Sequence, residues 1–114
     1  DYCIKNKKIL ISSAISKYDG HIFSFNFKKD GPCLRCFMPN IPSLEQNCET
    51  DGIMSTLAGI AGSIQANEVI KSILNIGKPL RNEIMIFNSL DLSFRKVKLN
   101  KNSSCKNHLH VLYK

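Results

Sequence analysis

The chain has 114 residues, 43% of them hydrophobic, and its 16 basic against 9 acidic side chains give a net charge of +7. That apolar share, spread in short clusters, offsets the entropy of ordering the backbone and excludes a disordered chain, while the length excludes several large domains. The longest apolar stretch, residues 53 to 74, carries Gln65, Asn67, Glu68 and Lys71, which excludes a bilayer-spanning helix.

The basic charge invites a nucleic-acid reading, but lysine, asparagine and isoleucine make up a third of the chain and arginine occurs only at 35, 81 and 95. A phosphate- or guanine-reading surface favours the guanidinium fork, so the charge reads as a solvated surface, with no nucleic acid and no membrane among the partners. Opening on Asp1 with no apolar leader, the sequence reads as a piece of something longer. Five cysteines, at 3, 33, 36, 48 and 105, cannot all pair within one molecule. An odd count without a signal peptide points to a reducing compartment, and a cytoplasmic location is expected.

In chain order, DYCIKNKK reads as the end of a helix that feeds a first strand, KILISSAIS, residues 8 to 16. That run is apolar and β-prone without strict alternation, which predicts a strand covered on both faces. Asp19-Gly20 is a hairpin turn signal leading into HIFSFNF, residues 21 to 27. Residues 28 to 50 are punctuated by Gly31, Pro32, Pro39 and Pro42 and read as irregular.

Within that connector, GPCLRCFMP places Cys33 and Cys36 in a C-x-x-C knuckle. A redox role is disfavoured because no helix is expected to start at Cys33. Cys48, in NCETDG, stands just before the next helix, where unpaired N–H groups stabilise a thiolate; the plainer reading is an inert buried thiol. Cys3 has only the plain reading.

From Ile53 to Leu74 apolar residues recur at three and four, predicting one long helix capped by Thr50 or Asp51 and ended within 75 to 79 by Gly77 and Pro79. Gly59 and Gly62 each lower helix propensity by roughly 1 kcal/mol, a cost usually offset by close approach of another backbone, so the helix is expected to be central. Residues 83 to 99 read as two strands around a turn near Ser89 to Leu92. The tail then offers Cys105 and His108 at the spacing of the first pair, with His110 as an alternative. Zinc takes four ligands in a tetrahedron from two close-spaced pairs, so Cys33, Cys36, Cys105 and His108 are the candidate metal ligands, clamping mid-chain to tail across 68 intervening residues. The alternative is a set of reduced core and surface thiols.

Strand, strand, connector, long helix, strand, strand predicts an α/β or α+β sandwich whose layers look thin on one side. As a set, GPCLRCFMP, NCETDGIMSTLAGIAGSIQANEVIKSIL, GKPLRNEIMIFNSLDLSFRKVKL and the C-x-x-H tail resemble the ThiF/MoeB/HesA family, which shares its fold with ubiquitin-activating enzymes. The densest match is G-S-x-Q-A-x-E-x-I-K, spelled by Gly62, Ser63, Gln65, Ala66, Glu68, Ile70 and Lys71.

The resemblance implies an α/β fold: the C-terminal half of a Rossmann-like adenylation domain, with a mixed sheet of two hairpins, one long central helix and a zinc knuckle, residues 1 to 114 forming a single partial domain. It implies adenylation, with MgATP, of the C-terminal glycine of a ThiS- or MoaD-like sulfur carrier in thiamin or molybdopterin biosynthesis. By position Cys48 matches the sulfur-transfer cysteine, and Cys33, Cys36 and Cys105 match structural zinc ligands, while His108 stands where the family usually has a fourth cysteine. The glycine-rich loop is missing: the six glycines nowhere spell G-x-G-x-x-G. ATP and Mg2+ are therefore expected only with an N-terminal nucleotide-binding half. A homodimer is a further possible assembly. The competing reading is a zinc-stabilised protein-binding or dimerisation remnant without catalysis, and the least favoured is a zinc-dependent nucleic-acid binder.

Overall fold

The computed structural model describes residues 1–28, 30–40 and 52–109, with 108 and 109 described through their backbone alone. The strands are β1 (Ile9–Ile15), β2 (Asp19–Asn26), β3 (Glu83–Asn88) and β4 (Ser93–Lys98). They form one sheet in the order β1-β2-β3-β4, with all three pairings antiparallel where a mixed sheet was expected. The helices are α1 (Tyr2–Lys5), α2 (Leu34–Phe37), α3 (Leu57–Leu74) and α4 (Lys106–Leu109). Two hairpins around one long helix match the order read from periodicity, including the turn at Ser89 to Leu92.

The first hairpin turns earlier than its Asp-Gly signal. The Ser16 N–H donates to the Asp19 carbonyl at 2.9 Å, so Lys17 and Tyr18 make the turn and Gly20 is already in β2. Gly20 lies opposite Phe87 of β3, and a Cβ built on it would overlap the Phe87 ring. The glycine provides a floor for an aromatic ring rather than a positive φ for a turn.

Strand alternation divides the core into two layers. On one face Ile22 and Phe87 pack with Leu57, Ala61 and Leu80, bordered by Ile11, Ile15, Ile64 and Met85. On the other, Phe23, Phe25, Ile84 and Leu99 form a second cluster, bordered by Leu10, Phe27 and Ile86. The Phe37 ring closes over Phe23 with centroids 5.8 Å apart, bringing α2 to this second face. A fully buried ring such as Phe25 contributes roughly 2 to 3 kcal/mol.

The polar motif letters of the long helix prove to be braces. The Gln65 Nε2 donates to the Ile11 carbonyl at 3.0 Å, and its Oε1 accepts from the Ser13 hydroxyl at 2.8 Å. Glu68 is buried, accepts the Leu80 N–H at 2.8 Å and pairs with Lys71. In the same layer the Ser24 hydroxyl donates to the Leu80 carbonyl at 2.8 Å. Together these bonds fix the helix to β1 and to the chain entering β3, leaving no buried side-chain polar atom unpaired among the described residues.

Three expectations change. The long helix starts at Leu57 rather than Ile53, because the Met54 N–H is spent on the Lys17 carbonyl (3.1 Å), tying residues 52–56 to the tip of the first hairpin. The proposed caps Thr50 and Asp51 lie outside the described residues. At the other end Asn75 itself takes the left-handed conformation (φ 53, ψ 46), ahead of the predicted glycine. Secondly, α3 is not central among the described residues: it lies on one face, over β1 and β2, and Gly59 and Gly62 meet no atom within 4 Å of where a Cβ would sit. Thirdly, β1 is half-exposed rather than covered on both faces, because it ends the sheet. No helix of the described residues is long and apolar enough to cross a membrane.

Candidate metal centre

The Gly31-Pro32 dipeptide leads from β2 to the knuckle, and the knuckle is not irregular. Cys33, extended at φ −121 and ψ 175, precedes one helical turn, and the Cys36 N–H donates to the Cys33 carbonyl at 3.0 Å. A helix therefore does start at Cys33, contrary to the expectation that disfavoured a redox role, and a third thiol joins the pair. After β4 the chain returns to the same face, and a turn in which the Cys105 N–H donates to the Asn102 carbonyl presents Cys105 to the knuckle.

The Cys33 Sγ lies 3.8 Å from that of Cys36 and 3.6 Å from that of Cys105. All three sulfurs fall within 4.8 Å of one another. These separations are far beyond a disulfide, and all three cysteines are free. They match the edges of a tetrahedron around zinc, for which Zn–S bonds of about 2.3 Å put the sulfurs about 3.8 Å apart. Cys33 and Cys105 are buried and Cys36 is partly exposed.

The three thiols perturb one another. Burial pushes the Cys105 thiol up to about 11; a backbone hydrogen bond at Asn107 opposes this, and the Cys33 and Cys36 thiols add to it. Burial also raises Cys36, but hydrogen bonds with the Cys33 and Asn102 backbone and with the Cys105 and Cys33 thiols outweigh it and hold Cys36 below its ordinary value. Crowded, buried thiols resist ionising together unless a cation shares their charge. N–H groups already point at the sulfurs: the Cys33 backbone at Cys36 Sγ (3.5 Å) and Asn107 Nδ2 at Cys33 Sγ (3.7 Å). Such donors spread thiolate charge around a metal.

Three residues that spacing did not single out join the same segments. Asp1 accepts from Arg35 Nε and Nη2, both at 2.7 Å, and from Asn107 Nδ2 at 2.8 Å, joining the start of the chain, the knuckle and the tail. No short motif signals this, because the three partners come from distant segments. A cavity of about 290 Å³, lined by Ile4, Leu10, Phe27, Leu34 and Met38 together with polar Asp1, Arg35 and Asn107, adjoins Cys33. Of the other candidate residues, His108 follows in α4, three positions after Cys105, with its side chain outside the described residues. Cys48 and His110 also lie outside them. Cys3 is half-exposed and is not part of the cluster.

A four-stranded antiparallel sheet backed by one long helix, with a three-thiol cluster joining mid-chain to tail, defines an α/β unit with a donor set that could hold a metal ion. The chain matches the ThiF family over residues 1–107, and it belongs to that family. It is 33% identical over 104 residues to the molybdopterin-synthase adenylyltransferase of Escherichia coli, covering 91% of this chain and 42% of that protein. It is 34% identical over 104 residues to the sulfur carrier protein adenylyltransferase of Thermus thermophilus, covering 86% of this chain and 38% of that protein. The chain thus spans less than half the length of these curated relatives. Its fold superposes on the microcin C7 biosynthetic enzyme MccB, solved with N-formylated MccA, with a TM-score of 0.71 at 16% identity, over 92% of this chain and 35% of that one.

Proposed function

We propose that this chain is the C-terminal part of an ATP-dependent adenylyltransferase that activates the C-terminal glycine of a ubiquitin-like sulfur carrier of the ThiS or MoaD kind, and that it does not turn over ATP alone. The thiol cluster carries this reading, since it occurs in a member of a family whose relatives are named for adenylylating molybdopterin synthase and a sulfur carrier protein. In the reaction, a carboxylate oxygen of the carrier attacks the α-phosphorus of MgATP and pyrophosphate leaves. A sulfur nucleophile then attacks the acyl carbon and expels AMP. Triphosphate and magnesium must be held in line with the carboxylate, and no glycine-rich phosphate loop is spelled in this sequence, so those contacts fall to a nucleotide-binding half.

Cys33, Cys36 and Cys105, with His108 as fourth donor, would hold zinc. Bound there, zinc supplies folding energy and geometry by tying the segment before Cys48 to the tail. Cys48 is the proposed thiol of the sulfur-transfer step. The test is co-production with a nucleotide-binding half and measurement of carrier-dependent ATP–pyrophosphate exchange. Exchange requiring both polypeptides supports the reading, and an assembled complex that shows none overturns it.

A further inference from the structure

We propose that Cys36 is a site of reversible oxidation, forming a disulfide with Cys33 in response to a hydroperoxide and thereby releasing the tail that Cys105 anchors. The three thiols are not equally accessible: Cys33 is 2% and Cys105 5% exposed, whereas Cys36 is partly exposed. An oxidant arriving from solvent therefore meets Cys36 first. The Cys33 sulfur lies 3.8 Å away, and the Cys33 backbone N–H points at Cys36 Sγ at 3.5 Å. One helical turn joins the pair, closed by the Cys36 N–H on the Cys33 carbonyl. Residues so spaced have Cα atoms about 5 Å apart, within the span that a disulfide bridges without backbone movement. Cys105 is the rival partner, but it comes from the far end of the chain, whereas Cys33 can reach Cys36 within the turn itself.

The chemistry takes two steps. The Cys36 thiolate attacks the terminal oxygen of the hydroperoxide; the O–O bond breaks, an S–O bond forms, and the alkoxide leaves as alcohol after taking a proton from solvent. The Cys33 thiolate then attacks the sulfenic sulfur of Cys36, an S–S bond forms, and the displaced hydroxide leaves as water after taking a second proton. Each sulfur gives up one electron, and the peroxide takes both. A dithiol reverses the reaction by thiol–disulfide exchange and is itself oxidised.

Oxidation acts on the hold that the knuckle has on the tail. Three tail contacts end on the two sulfurs: Cys105 Sγ lies 3.6 Å from Cys33 Sγ, Asn107 Nδ2 donates to Cys33 Sγ at 3.7 Å, and the Asn102 backbone bonds to Cys36. A disulfide is neutral and no longer offers thiolates, so it weakens these contacts and removes two of the three sulfur donors for a metal. Upstream the chain stays seated, because Leu99 is buried in the second core cluster and its N–H donates to the Asn82 carbonyl at 2.9 Å. Release is thereby confined to the residues after Leu99, and the sheet and α3 keep their packing.

The experiment treats the full chain, incubated with zinc, with one equivalent of tert-butyl hydroperoxide near neutral pH. Disulfide mapping by mass spectrometry, bound metal by a chromogenic chelator and amide exchange provide the readouts. The expected result is a Cys33–Cys36 disulfide, a matching loss of bound zinc, and exchange in residues 102–107 that quickens by about tenfold or more while β1 to β4 and α3 are unchanged. Dithiothreitol should restore the starting state. Cys36→Ser should slow oxidation of Cys33 by about tenfold or more, whereas Cys105→Ser should still form the Cys33–Cys36 disulfide. A disulfide between Cys33 and Cys105, oxidation confined to Cys3 or Cys48, over-oxidation of Cys36 without a disulfide, or a disulfide that leaves tail exchange unchanged overturns the inference. The map and the exchange are read whether or not zinc binds and without any turnover, so failure of the zinc site or of the adenylylation reading shows separately from failure of this one.

Discussion

The sulfurs of Cys33 and Cys105 lie 3.6 Å apart although 72 positions separate them in the chain. With Cys36 close by, these sulfurs form a donor set that could hold a metal ion, which makes metal dependence the first outcome to measure. The purified chain should hold one zinc by elemental analysis. Cys105→Ser should reduce zinc content and lower unfolding stability by several kcal/mol, to about the level that a chelator produces on the unsubstituted chain. A metal-free chain of unchanged stability would remove the clamp.

Glu68 should behave as a structural residue despite its place in the family's densest motif. Glu68→Ala strands the Leu80 N–H and the Lys71 ammonium in a half-buried layer, and should cost about 2 to 4 kcal/mol in a urea titration. Zinc content should be unchanged, because Glu68 lies on the opposite face of the sheet from the thiols. A loss below about 0.5 kcal/mol would mean that the carboxylate is not a brace.

Gly20 should resist even alanine. The new methyl group would displace the buried Phe87 ring and destabilise the chain by about 1 to 3 kcal/mol. Gly20→Ala combined with Phe87→Leu should cost less than the sum of the two, since the smaller side chain frees the space. Strict additivity in the double-mutant cycle would show that the two residues do not meet.

The second hairpin carries its own pH signature. The Ser93 hydroxyl and backbone N–H donate to Asp91 and hold its carboxyl below the ordinary aspartate value. A carboxyl depressed by folding adds stability above its unfolded value, and that contribution is lost as pH falls through the lower, folded value. Ser93→Ala should therefore raise the Asp91 midpoint, followed by NMR titration of its carboxyl carbon, and shift the acid end of the stability profile upward. An unmoved midpoint would exclude the hydroxyl as the cause.

Local signals carried the element order. Apolar residues at three and four announced α3, two β-prone runs around a turn near Ser89 to Leu92 announced the second hairpin, and two pairs with one spacing pointed to the thiols that the fold assembles. Each of these is written within a few neighbouring residues, where backbone geometry acts directly on side-chain pattern. Other features depend on contacts between distant segments. Asp19-Gly20 reads as a turn until Phe87 arrives from β3 and needs a flat floor. Gln65 and Glu68 read as motif letters until β1 and Leu80 supply their partners. The knuckle reads as irregular, yet a single turn of helix suffices to aim Cys36 and Cys33 at a sulfur arriving from beyond β4. β1 reads as buried on both sides because it is apolar without strict alternation, and only the pairing of distant strands shows that it ends the sheet and stays half-exposed.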